Sequence, residues 1–146
     1  MTDTYNGTPV RRRIDRIMAA LARRGIAPGG ITSLTVAGRR SGEPRTVPVT
    51  PVVVGGRRYL VAPYGPVGWV RNLRVVGEAT LQRGADAERI RAEELGPEAA
   101  APVLKHYVQQ IPIVRSRFPT APPDADLAAF AAVAHDHPVF AITVVS

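Results

Sequence analysis

The chain has no cysteine among its 146 residues, which excludes disulfides and thiolate chemistry outright. A reducing cytoplasm fits that composition. Lysine is nearly absent too, since Lys105 stands alone among 19 basic residues. Aromatic residues make up only 5%, and Trp69 is the one tryptophan. Such sparse, scattered rings form no interleaved aromatic and basic strand face of the kind single-strand binders use. This argues against a nucleic-acid-binding module, which a net charge of +7 would otherwise favour. No apolar run approaches the roughly 20 residues of a membrane span. The start, Met1 to Asn6, has neither a basic n-region nor an apolar h-region. A cytoplasmic protein is the expectation.

Acidic residues are scarce in one half only. Residues 1–75 hold 13 arginines against Asp3, Asp15 and Glu43, whereas in the second half acids outnumber bases. The first half is therefore the one that faces anions, be they nucleic acid, lipid or cofactor. With 45% hydrophobic residues, a chain of this length builds one core and is too short for two ordinary domains. One domain over 1–146 is expected, with 1–30 as an N-terminal amphipathic arm.

Thr8 and Pro9 open a helix that Gly25 ends. Ile14, Ile17, Met18 and Leu21 form its apolar stripe, and six arginines cover the rest. Packing on the domain body is one reading, and peripheral contact with an anionic membrane is the other. Strands are expected at 31–36, 46–54, 57–62, 79–83, 87–95 and 139–145, where β-branched or alternating residues run between breakers. Pro48 and Pro51 put the second of these at an edge or bulge. Short helices are expected from Trp69 to Val76, from Pro97 onward, and after Asp124, whose stripe includes Leu127, Phe130 and Ala134. Six strands with hairpin connections and flanking helices indicate an α+β fold, a six-stranded antiparallel split β-barrel.

Between the first two strands lies Gly38-Arg39-Arg40-Ser41-Gly42-Glu43-Pro44-Arg45. The glycines let backbone N–H groups approach a ligand, and three arginines and a hydroxyl offer donors suited to phosphate or carboxylate oxygens. An anion cradle is one reading of this loop, and a solvated turn is the other. A metal site at His135 and His137 is not expected, because two histidines at i and i+2 have no further supporting ligands.

Three pieces then stand in fixed order: Gly38 to Gly42 with Arg45, the strand end Val61-Ala62-Pro63-Tyr64-Gly65, and Gly68-Trp69-Val70-Arg71-Asn72-Leu73. Together they resemble the deazaflavin-dependent nitroreductase family of actinobacteria, proteins of split β-barrel fold that use reduced coenzyme F420. The resemblance runs from about Ile31 to Leu81. It implies a cytoplasmic oxidoreductase that passes hydride to a quinone, nitroaromatic or activated alkene, working as a monomer or homodimer on a small-molecule acceptor. Coenzyme F420 is the implied cofactor, with FMN as the alternative.

The resemblance also implies cofactor contacts at Gly38, Arg39, Arg40, Ser41, Gly42, Arg45, Thr46, Val47, Pro48, Ala62, Pro63, Tyr64, Gly68, Trp69, Val70 and Asn72. Tyr64 is the expected proton donor or acceptor-orienting group. This chain departs from the family's nitroimidazole-reducing member in its shorter 63–68 connection, and Arg115-Ser116-Arg117-Phe118-Pro119 offers no counterpart of that member's tyrosine-rich substrate region. A noncatalytic deazaflavin or lipid carrier on the same barrel is the rival reading, and a basic nucleic-acid module is the second.

Overall fold

The structure is a computed structural model that describes residues 32–145. The expected helix over residues 9–24 lies outside the described residues. Among the described residues seven strands form one antiparallel sheet: β1 (Thr32–Ala37), β2 (Pro44–Val49), β3 (Val52–Val54), β4 (Arg57–Val61), β5 (Glu78–Arg83), β6 (Asp86–Glu94) and β7 (Val139–Val144). Their order across the sheet is β2-β1-β5-β6-β7-β4-β3.

That order forces the sheet to curl. β2 and β3 are its two edges, yet only Thr50 and Pro51 connect them. Three Cα steps span at most about 11 Å, whereas the edges of a flat seven-stranded sheet would lie roughly 29 Å apart. The result is a half-barrel, and it corrects the six-strand expectation. The segment expected as one strand over 46–54 is two, because the chain leaves one edge at Thr50-Pro51 and joins the other.

Strand alternation sorts the side chains of the curled sheet into two cores. Inside the curl, Leu34, Val36, Val47, Val49, Leu60, Ala79, Leu81, Ile90, Phe140 and Ile142 pack on one another. Helix α1 (Gly68–Val76) closes one end with Trp69, Val70 and Leu73. It stops at Gly77, whose left-handed backbone lets its N–H reach the Leu73 carbonyl at 2.8 Å. On the outer face, Val52, Val61 and Val139 pack against α2 (Pro97–Gln110) and α3 (Leu127–Ala132) through Leu104, Val108 and Phe130. The α3 cap is Asp126, which accepts from the Ala129 N–H at 3.0 Å, and not Asp124 as expected. Leu127 is exposed rather than part of the core stripe, since the helix begins at that residue and its first turn faces outward.

Strand directions place the functional pieces. The end of β1, the start of β5, the start of β7 and the end of β4 all meet at the α1 end of the barrel. The 38–43 loop and the 62–67 loop therefore share that end.

Candidate active site

The 38–43 loop is a closed turn. Gly42 N–H donates to the Gly38 carbonyl at 2.9 Å, and Gly38 N–H donates to the Glu43 carbonyl at 2.8 Å. The two glycines serve different needs. Gly42 has φ 75°, the left-handed region where a side chain is strained. At Gly38 the need is for space: a Cβ there would lie 3.1 Å from Ser41 Oγ and 3.3 Å from the Glu43 carbonyl.

Asn72 ties this loop to the barrel plug. It is fully buried on α1, and its Oδ1 accepts from Arg39 N–H at 3.0 Å and from Arg39 Nη1 at 2.9 Å. One amide oxygen thus fixes both the backbone and the guanidinium of Arg39. Gly68 lies one turn earlier on the same face of α1 and is also buried. Arg40, Ser41 and Gly42 remain exposed at the tip of the loop.

Arg45 begins the part of β2 that faces inward. Its side chain is 16% exposed, and Nη2 lies 3.9 Å from Glu43 Oε2, itself largely in solvent. Val47 continues the same face into the core, while Thr46 and Pro48 turn to the other. Thr46 Oγ1 pairs with Thr35 Oγ1 at 2.8 Å across the strands. The expected contact set is therefore divided by depth: Arg45 joins the loop, whereas Val47 further along the same face and Trp69 and Val70 on α1 bury their side chains in the inner core. Trp69 packs on Phe140 with ring centroids 6.1 Å apart.

The second loop brings Ala62, Pro63 and Tyr64 to the same end of the barrel. Ala62 is buried and Tyr64 exposed. No motif or spacing pointed to the two partners of this loop, Arg117 on the 3-10 turn Pro112–Arg117 and His137, or to Tyr107 on α2, which packs edge-on against Phe118. His137 lies 74 residues from Pro63, so no local spacing could reveal the pair. Burial pushes the Tyr107 hydroxyl far above its ordinary value, with the charge of an ionised Tyr64 as the further cause. Among the described residues no group of three or more His, Cys, Asp or Glu is arranged to hold a metal.

A cleft of about 450 Å³ opens at the opposite end of the barrel. Arg58, Arg83, Asp86 and Glu88 line it with Leu81 and Thr32, and Arg58 is paired with Glu88. Two positive and two negative charges cancel there. The length of β1, roughly 17 Å at about 3.3 Å per residue, separates this cleft from the arginine loop.

Residues 10–118 match the model of the F420H2-dependent quinone reductase family. The chain belongs to that family. It is an F420-dependent reductase, and coenzyme F420 is its cofactor. Solved structures agree in fold. The F420-H2 dependent reductase FDR-A is 23% identical, with a TM-score of 0.53 over 79% of this chain and 95% of that one. A structure described as a domain-swapped dimer is 23% identical, with a TM-score of 0.57 over 92% of this chain and 96% of that one. An FMN-binding protein related to pyridoxamine 5'-phosphate oxidase, from Nostoc punctiforme, is 10% identical, with a TM-score of 0.57 over 96% of this chain and 82% of that one. No curated protein matches the sequence.

The residues of this reductase fit the anionic part of such a cofactor. The loop and Arg45 offer three guanidinium groups and one hydroxyl around a backbone where a side chain would be crowded at residue 38 and strained at residue 42. The balanced charges of the far cleft do not suit a polyanion.

Proposed function

We propose that the chain reduces a quinone at the α1 end of the barrel, with nitroaromatics and activated alkenes as further acceptors. Arg39, Arg40, Ser41 and Arg45 hold the phosphate and carboxylates of the cofactor tail, while Gly38 and Gly42 shape the loop around them. Thr46, Pro48, Ala62, Pro63 and Gly68 border the cofactor, and Trp69, Val70 and Val47 support it from the core. Asn72 organises Arg39. When bound, coenzyme F420 supplies a hydride, and the acceptor is left as an anion that needs a proton. Tyr64, exposed beside this site, gives that proton or orients the acceptor. The observation that carries the reading is the double hydrogen bond from Arg39 to buried Asn72, which presets the arginine loop before any ligand arrives.

The test is equilibrium binding of oxidised coenzyme F420 against FMN, followed by anaerobic oxidation of the reduced cofactor with menadione. Tighter binding of coenzyme F420 and catalytic turnover are expected. Tyr64→Phe should slow turnover while cofactor affinity stays within about twofold, because the ring and its packing are kept. Binding without turnover would leave the carrier reading. In this proposal the protein works as a monomer or homodimer, which light scattering distinguishes.

A further inference from the structure

Two consecutive residues of the loop that presents Tyr64 are held by the C-terminal part of the chain. His137 Nδ1 donates to the Pro63 carbonyl at 2.9 Å. The Arg117 guanidinium lies over the Tyr64 ring, 4.5 Å from its centroid. Gly65, with φ 90°, turns its Cα toward the Asp136 carbonyl, which would lie 3.5 Å from a Cβ. These contacts form a circuit, because the His137 ring also packs against the segment that carries Arg117. The ring stacks on Phe118, with centroids 4.0 Å apart and planes at 27°. Phe118 in turn meets Tyr107 edge-on.

One buried imidazole thus touches the segments of both members of the Tyr64–Arg117 pair, by a hydrogen bond at Pro63 and by stacking at Phe118. A histidine that served packing alone would not need the Pro63 carbonyl. Residues 134–137 lie beyond the family match, which ends at 118, so the brace is read from this chain's own C-terminal segment.

We propose that His137 is a positioning residue that sets how Tyr64 is presented to the acceptor. The inference rests on the reading of Tyr64 given above. Loss of the Pro63 bond frees the carbonyl next to Tyr64, so the phenol shifts beneath the Arg117 cation. The consequence falls on the acceptor, since the arginine loop is held separately by Asn72.

The experiment compares His137→Asn with His137→Phe. An asparagine amide replaces the donor at Nδ1, whereas phenylalanine keeps the stacking and removes the donor. In the cofactor-free protein, hydrogen exchange of a peptide spanning residues 62–68 should speed up in His137→Phe and stay near wild type in His137→Asn. With menadione, His137→Phe should raise KM or lower kcat by about tenfold, the scale of one lost hydrogen bond at a site that needs alignment. His137→Asn should recover most of this, and the affinity for coenzyme F420 should change less than about twofold in both.

If His137→Phe does not fold, Arg117→Met at the exposed surface tests the same circuit through its other member. It should shift the menadione KM in the same direction and leave cofactor affinity alone. Unchanged exchange at 62–68 in a folded His137→Phe overturns the proposal, as does equal damage in the Asn and Phe variants. Because exchange is read without cofactor, its result stands apart from the failure of the protein to bind or oxidise the deazaflavin.

Discussion

At the scale of single residues, the site depends on a carboxamide that contributes no charge. Asn72 Oδ1 is the acceptor for both Arg39 groups. Removing it leaves an N–H and a guanidinium without that partner in a partly buried place, a change that costs about 1–3 kcal/mol. Asn72→Ala is therefore expected to lower thermal stability and to weaken binding of coenzyme F420, because the loop must then be ordered by the ligand. Asn72→Asp keeps the acceptor oxygens but adds negative charge beside the arginines. It should retain more stability than the alanine variant and still bind cofactor weakly, with a loss that shrinks as salt rises. Calorimetry and equilibrium titration at two ionic strengths read both outcomes, and an Asn72→Ala protein with full affinity would dismiss the preset loop. The sequence marked Asn72 by its place in a motif. That its side chain works on Arg39 could not be read there, because the pair is 33 residues apart and depends on where α1 plugs the barrel.

At the scale of elements, the loop over 62–67 and the turns at 112–117 and 134–137 act together through His137. Burial pushes its ring down from the ordinary histidine value, against the pull of the Pro63 and Arg117 carbonyls and of Asp136, while His135 adds to the lowering. The ring is thus neutral in the fold at pH values where the unfolded chain would protonate it. Its contribution to stability is present above an ordinary pKa of about 6.5 and is lost as pH falls through the lowered folded value. The melting-temperature advantage of wild type over His137→Asn should accordingly shrink between about pH 7.5 and pH 5. The charged neighbours that act on the ring, Asp136 and His135, are the same in both proteins, so the difference isolates residue 137. A constant gap across that range would contradict the sign. Elements themselves were legible where local chemistry decided them: Pro97 opening α2, Gly77 ending α1, the Gly55-Gly56 turn between β3 and β4. The Asp124 cap was misplaced by two residues because both aspartates suit the role, and only the helix start at Leu127 selects Asp126.

At the scale of the whole molecule, the barrel has two unlike ends. The end closed by α1 carries Arg39, Arg40 and Arg45, and the other carries the Arg58–Glu88 pair in a cleft of balanced charge. Arg45→Ala should weaken coenzyme F420 binding by roughly 10- to 100-fold, as loss of a charge-assisted contact does. Arg58→Ala, a strand length away, should do much less. Equal losses in the two variants would move the anion site off the arginine loop. Affinity should also fall as salt rises, more steeply for a cofactor with a longer glutamate tail. What could be read without the fold was local or compositional: most of the strands from their β-branched and alternating residues, the basic glycine-bracketed loop between the first two, and dependence on coenzyme F420 from three short motifs in order. Tertiary structure alone decided the split of 46–54 into two edge strands and the division of the expected contacts between the loop and the core. It also decided the bracing of Tyr64 by residues from the far end of the chain. The reason is physical: periodicity and turn chemistry act over a few residues, whereas the closure of a curled sheet and the pairing of Pro63 with His137 depend on which distant segments the burial of two hydrophobic cores brings together.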